Sequence, residues 1–213
     1  MNAPASTPSP RSLLLALLAV LTLLGLSAWH AFDLSIWAME VAPVFIALPI
    51  LLATHRRFPL TGLLYVLLAV HAAILMLGGH YTYAKVPLGF WMQDWFGWTR
   101  NNYDKIGHFA QGFVPALVAR ELLLRRGVIA IRHRGWLFAL ITLSCLGISA
   151  LYEFIEWWTA LAIGSGADEF LATQGDPWDT QSDMFMAWIG AMLAQLLLGR
   201  WHDRQLGAAG SSA

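Results

Sequence analysis

DPWDTQSD, residues 176–183, runs without a break into MFMAWIGAMLAQLLLG, residues 184–199. The first stretch puts three carboxylates in eight residues, and the second is apolar enough to lie in lipid. Reading the second stretch as a membrane helix decides the class, because it is one of several such runs. The chain of 213 residues is 58% hydrophobic and only 12% charged, the composition of an integral membrane protein. A chain with that many runs closes its backbone hydrogen bonds inside helices, so the fold class is all-α, a polytopic membrane helix bundle. Equal numbers of basic and acidic residues, 13 each, give no electrostatic attraction to nucleic acid. One cysteine, Cys145, excludes an intrachain disulfide and a cysteine zinc site.

Working outward, residues 1–11 and 205–213 read as disordered tails on a single membrane domain, residues 12–204. Six spans are expected, at about 12–32, 34–54, 60–79, 104–124, 136–158 and 184–199. The first carries no charge over its length and lacks a small-x-small cleavage site after it, which favours a retained span over a signal peptide. The second holds Glu40, Pro43 and Pro49, tolerable as kinks in a membrane helix. Residues 80–103, rich in Trp, Tyr, Gly and Asn, read as a loop or short helix at headgroup depth. The fourth span is the most polar, with Asp104, Lys105, His108, Gln111, Arg120 and Glu121, and so needs protein neighbours on one face. Residues 164–182 read as an acidic loop.

The charges fall unevenly about these spans. With both termini in the cytoplasm, the inner segments hold ten basic residues against two acids, and the outer segments three basic residues against eleven acids. The lysine and arginine bias agrees at every loop and sets a six-span topology with cytoplasmic termini.

That topology brings three polar segments to one outer level. Asp104 and His108 are spaced i,i+4 on one helix face, Glu153 and Glu156 are i,i+3 on another, and Asp176, Asp179 and Asp183 precede the last span. Carboxylate oxygens with an imidazole nitrogen suit zinc, manganese or iron, and an all-oxygen subset suits magnesium or calcium. These seven residues are the candidate metal ligands. Each has a plain structural explanation as well. Asp104 caps a helix start, His108 fills an interior, Glu153 and Glu156 pair with Arg100 and Lys105, and the three aspartates serve a turn fixed by Pro177 and the cap of the last span. Together they are harder to explain, because at least seven carboxylates at one face repel unless cations, protons or hydrogen bonds compensate them. The surrounding Trp91, Trp95, Trp98, Trp157, Trp158 and Trp178 read as an interfacial belt.

Four ordered motifs carry a resemblance: GHYTY at 79–83, RNNYDKIGHF at 100–109, YEFIEW at 152–157 and DTQSDM at 179–184. Over residues 55–200 the chain resembles the YjdF-like family of bacterial inner-membrane proteins, a domain of unknown function. The start of the 104–109 helix, Asp-Lys-x-x-His-Phe, is also similar to VanZ-like proteins, as is the acidic helix start from Asp183 to Gly190, although the Asn usual in that second motif is missing. The resemblance implies a polytopic inner-membrane protein and hands over no activity. His80, Tyr83, Arg100 and Tyr103, which stand in its motifs on the outer side, are the candidate substrate-binding residues.

Two readings of function follow. In one, a divalent cation (Zn, Mn, Fe or Mg) activates water or polarises a phosphate or acyl group of a lipid-linked or envelope precursor, as in a hydrolase or transferase, with His108 or Glu156 as catalytic proton acceptor. In the other the acids serve ion- or proton-coupled transport, with Glu40 and His71 extending a path inward, or the protein assembles envelope components without catalysis. Membrane lipids are the expected partners, nucleic acid is not, and the sequence leaves the oligomeric state open.

Overall fold

The computed structural model describes residues 7–163 and 171–207, so Asp168, Glu169 and most of the two expected tails lie outside the described residues. Eight α-helices and a 3-10 turn make up the described chain: α1 (Pro10–Ala28), α2 (Leu34–Glu40), α3 (Ala42–Thr54), α4 (Gly62–Tyr81), the 3-10 turn (Tyr83–Lys85), α5 (Pro87–Phe96), α6 (Tyr103–Arg125), α7 (Arg134–Ile163) and α8 (Asp179–Gln205). The protein is an all-α polytopic membrane helix bundle. Helices α1, α4, α7 and α8 are each long and apolar enough to cross a membrane, and α2 with α3, bent 49° apart, are so together, as a broken span or a re-entrant loop. Helix α6, at 23 residues about 35 Å long, has the length. Its charged residues set it apart, and the fold buries them instead of exposing them to lipid.

Helix α6 is the hub, packed on α4, α7 and α8. It runs parallel to α8: Lys105 pairs with Asp183 at one end, Gly112 meets Ala187 midway, and Arg120 pairs with Asp203 at the other end. Small residues let the two backbones touch, and a Cβ on Gly112 would collide with the Ala187 carbonyl, one on Gly190 with the Phe109 carbonyl. Helix α4 is antiparallel to α6, with the Leu63 amide on Gln205 at one end and the Tyr103 hydroxyl on the Ile74 carbonyl toward the other. The polypeptide therefore gathers the starts of α6 and α8, the ends of α1 and α4 and the later half of α7 at one end, here the acidic end. Between the ends lies a largely dry layer that includes Leu64, Ala116, Leu117, Ile141, Cys145, Ala191 and Ala194, with an internal polar contact from Gln195 to Thr142 (3.0 Å). Outward-facing Leu14, Ile46, Val66, Leu143, Leu151 and Leu197 are exposed, as a lipid-facing surface requires.

Two stretches bear on the site. Helix α8 begins at Asp179, so residues 179–182 are helical and not part of the acidic loop. Residues 80–103 form the end of α4, the 3-10 turn and α5, which opens on Pro87 and stops at the left-handed Gly97 (φ 66°). Helix α2 is capped by Asp33, whose Oδ1 accepts from the Ser35 and Ile36 amides at 2.7 and 2.9 Å. Asp33→Ala is expected to cost about 1 kcal/mol, the usual value of such a cap, visible as a small fall in thermal midpoint.

The opposite end holds a second polar network. Glu121 accepts from the Thr61 hydroxyl (2.9 Å), Arg125 (2.8 Å) and His202 Nε2 (3.0 Å), while Arg120 donates to His202 Nδ1 (3.2 Å) and pairs with Asp203. With Glu121 and His202 fully buried and bonded to each other, this network ties α4, α6 and α8 together.

Candidate functional site

Two cations organise the acidic end. Arg100, just before α6, pairs through Nη2 with Asp104 and through Nη1 with Asp179 (2.7 Å) and Asp176 (3.3 Å). Lys105, in the first turn of α6, reaches Asp179 (2.6 Å) and Asp183 (2.9 Å) and lies 3.6 Å from Asp104. Burial works against the Arg100 charge, but Asp104, Asp179 and Asp176 outweigh it and raise its pKa above the ordinary range. Four aspartates thus share two cations. The segment before α8 holds Arg100 in place: its guanidinium donates to the Thr173 carbonyl (2.8 Å), the Asn101 amide donates to Gln174 Oε1 (3.1 Å), and Gln174 Nε2 donates back to the Asn101 carbonyl (2.7 Å). Ala172 and Gln174 hold left-handed backbone (φ 53° and 50°) in this segment, a conformation that costs non-glycine residues energy and that the cross-links maintain.

No ion pair joins Glu153 or Glu156 to Arg100 or Lys105, among the described residues; the aspartates take both cations. Glu153, on α7, faces His108 of α6, with its Oε1 3.7 Å from Nδ1, and His108 Nε2 lies 3.7 Å from Asp183 Oδ1 of α8. Ligand atoms of His108, Glu153 and Asp183 all lie within 4.8 Å of one another, as do those of Asp104, Asp179 and Asp183. The two groups differ chemically. Lys105 ties Asp179 to Asp183 in the second and reaches the first at Asp183 Oδ1 (2.9 Å). In the first, Glu153 Oε1 is buried and has no hydrogen-bond partner among the described residues. The His108 ring is also set for ligation: Nδ1 faces Gln111 Oε1 at 3.2 Å, and a proton held there leaves the Nε2 lone pair toward Asp183.

Beside this group lies a cavity of about 50 Å³, lined in part by Glu40, His71, Tyr83, His108, Tyr152 and Glu156. His108 and Asp183 line both the cavity and the cluster, so the two are contiguous. Of the candidate substrate-binding residues, Tyr83 lines the cavity. Tyr103 is buried against Tyr83, Arg100 belongs to the ion network, and His80 Nδ1 meets the Ser27 carbonyl at 3.0 Å. Asp176 is the most accessible of the candidate ligands and accepts from the Trp178 amide as a turn residue. Trp91, Trp95, Trp98, Trp157, Trp158 and Trp178 are all exposed.

Sequence reasoning left several residues out of the site. Tyr152 and Gln111 complete the walls, and Glu40 and His71, read as extending a transport path inward, line the same cavity. Their signal was present: Glu40 and His71 are the only ionisable residues within their apolar runs, and a polar group in such a run faces protein.

The bundle, with buried ion networks at both ends, defines a multi-pass membrane protein. The chain belongs to the family described as a predicted membrane protein of the DUF2238 group, whose model matches residues 12–204. It is 57% identical over 192 residues, 90% of each chain, to the inner membrane protein YjdF of Escherichia coli (strain K12). No solved structure matches it.

Proposed function

We propose that His108, Glu153 and Asp183 hold one divalent cation at the outer face of the inner membrane, and that the cation acts on a lipid-linked or envelope precursor. The observation that carries this reading is the buried Glu153 Oε1, without a hydrogen-bond partner among the described residues and facing an imidazole and a second carboxylate. Burying such an oxygen is costly unless a cation or proton meets it. One imidazole and two carboxylates with room beside them suit zinc, manganese or iron better than calcium. A single ring cannot both ligate and take a proton at the same nitrogen, so His108 serves as ligand and Glu156, on the cavity wall, as proton acceptor. A cation held there would supply Lewis acidity toward a phosphate or acyl group, while Glu156 would take the proton of an attacking water and return it to the departing oxygen.

Transport receives less support, because the dry layer around Leu64, Leu117 and Ile141 separates the cavity from the opposite end. The outward orientation rests on the arginines at the far end, among them Arg56, Arg57, Arg126, Arg134, Arg200 and Arg204. A reporter fused after Arg204 is expected to lie in the cytoplasm; a periplasmic signal would reverse the assignment.

Elemental analysis of protein purified without chelators tests the binding itself. The wild type is expected to carry about one equivalent of transition metal, and Glu153→Gln and Asp183→Asn each to lower its affinity about 10–100-fold or more. Metal-free wild type after incubation with zinc and manganese would end the proposal.

A further inference from the structure

We infer that the cavity beside the His108 cluster is a subsite for a protonated primary amine, held between Glu40 and Glu156. The inference does not depend on a metal at His108, because Glu40 and the cavity carry it, although Glu156 also serves the proposed function. Glu40 ends α2, where the chain bends before α3, and this break turns its side chain into the bundle with only 3% of the residue exposed. One carboxylate oxygen is supported: Oε1 lies 3.5 Å from the Thr82 hydroxyl, and the Tyr83 backbone contributes a hydrogen bond. The other, Oε2, is buried on the cavity with no hydrogen-bond partner among the described residues.

The nearby cations are committed elsewhere. Arg100 and Lys105 serve the aspartates, and the Lys85 ammonium sits 3.6 Å over the Phe32 ring. Glu156 lines the same cavity and adds a second acid, so the space favours a positive ligand. A bare metal ion fits poorly. Glu40, His71 and Glu156 are absent from both groups whose ligand atoms converge to within 4.8 Å. The ligand must span the acids instead of being chelated by them. At roughly 10–15 Å³ per water-sized volume, a cavity of about 50 Å³ admits about three to five small heavy atoms. The ammonium end of a short stem meets these limits. Its three diverging N–H groups match Glu40 Oε2, Glu156 and an acceptor nitrogen of His71, and Leu75, Tyr83 and Tyr152 offer apolar and π surface to the methylenes. The amine is carried either by a lipid headgroup or by a small free molecule.

The test uses the full chain in nanodiscs, once metal-free and once zinc-loaded. Calorimetric titration of ethanolamine into phosphatidylglycerol discs reads the free amine, and native mass spectrometry after exchange into a mixture of phosphatidylethanolamine and phosphatidylglycerol reads the headgroup. Saturable binding in the first arm alone identifies a free amine, and selective retention of phosphatidylethanolamine in the second identifies the lipid; either supports the subsite. Glu40→Gln and Glu156→Gln are each expected to weaken it about tenfold or more, as for loss of a charge-assisted hydrogen bond, with unchanged metal content in Glu40→Gln. Should these variants not fold, the wild type decides alone: ethylamine is expected to bind and tetramethylammonium, too large and without N–H groups, to be rejected. Absence of binding in both arms, equal binding by Glu40→Gln, or equal binding of tetramethylammonium overturns the inference.

Discussion

Gly112→Leu is expected to lower the thermal midpoint in detergent by about 10 °C or to abolish accumulation in the membrane. Overpacking a core ordinarily costs about 1–3 kcal/mol, because neighbouring side chains shift. Here the obstacle is backbone: a Cβ on Gly112 meets the Ala187 carbonyl, and Gly190 presses on the Phe109 carbonyl from the other side. No rotamer relieves that, so α6 and α8 must separate, pulling on Lys105–Asp183 at one end and Arg120–Asp203 at the other. The cost should exceed about 3 kcal/mol, and about 2–4 °C per kcal/mol for a chain of this size gives the stated shift. Gly147, exposed on α7 with nothing near its would-be Cβ, is the control. Gly147→Leu should be neutral or slightly stabilising, since glycine costs up to about 1 kcal/mol in a helix interior.

Removing Arg100 should be comparably severe. Its side chain is 10% exposed and serves Asp104, Asp176 and Asp179, so Arg100→Ala strands carboxylates that Lys105 alone cannot neutralise. Breaking a buried pair this way typically costs about 3–5 kcal/mol. The guanidinium also anchors the Thr173 carbonyl, so the 171–178 segment should loosen and gain protease sensitivity. Arg100→Lys should recover only part, because one ammonium cannot reproduce a fork with Asp104 on one nitrogen and Asp179 on the other. Adding Asp179→Asn to Arg100→Ala should restore some stability by deleting one stranded charge. Melting the four proteins of that cycle measures the coupling; additive losses would show that the pair does not interact.

The helical class was legible because lipid forces each long apolar run to close its own hydrogen bonds. The start of α8 was not. Asp176, Pro177 and Asp179 have turn chemistry, and local pattern starts the helix at the apolar Met184, five residues after its true beginning at Asp179. What makes Asp179 and Asp183 helical and buried is neutralisation by Arg100 and Lys105, which come from more than 70 residues earlier. The acids of the candidate site were visible as a set, but their division was not. The i,i+3 spacing of Glu153 and Glu156 treats them alike, whereas only Glu153 reaches His108 and only Glu156 lines the cavity. The network of Arg120, Glu121 and His202 escaped because charges at that end enter a sidedness count one by one. The clue lay in two helices that each carry polar groups at both ends, Asp104 with Arg120 and Asp183 with His202, a pattern that parallel packing satisfies.

The claim that His108, Glu153 and Asp183 hold a cation is tested most directly by anomalous diffraction from crystals grown with zinc and, separately, manganese. The expected map has one peak at about 2.0–2.2 Å from His108 Nε2 and from a carboxylate oxygen each of Glu153 and Asp183, with Lys105 still paired to Asp179. An empty map at that position, or a peak only among Asp104, Asp179 and Asp183 with Lys105 displaced, would contradict it.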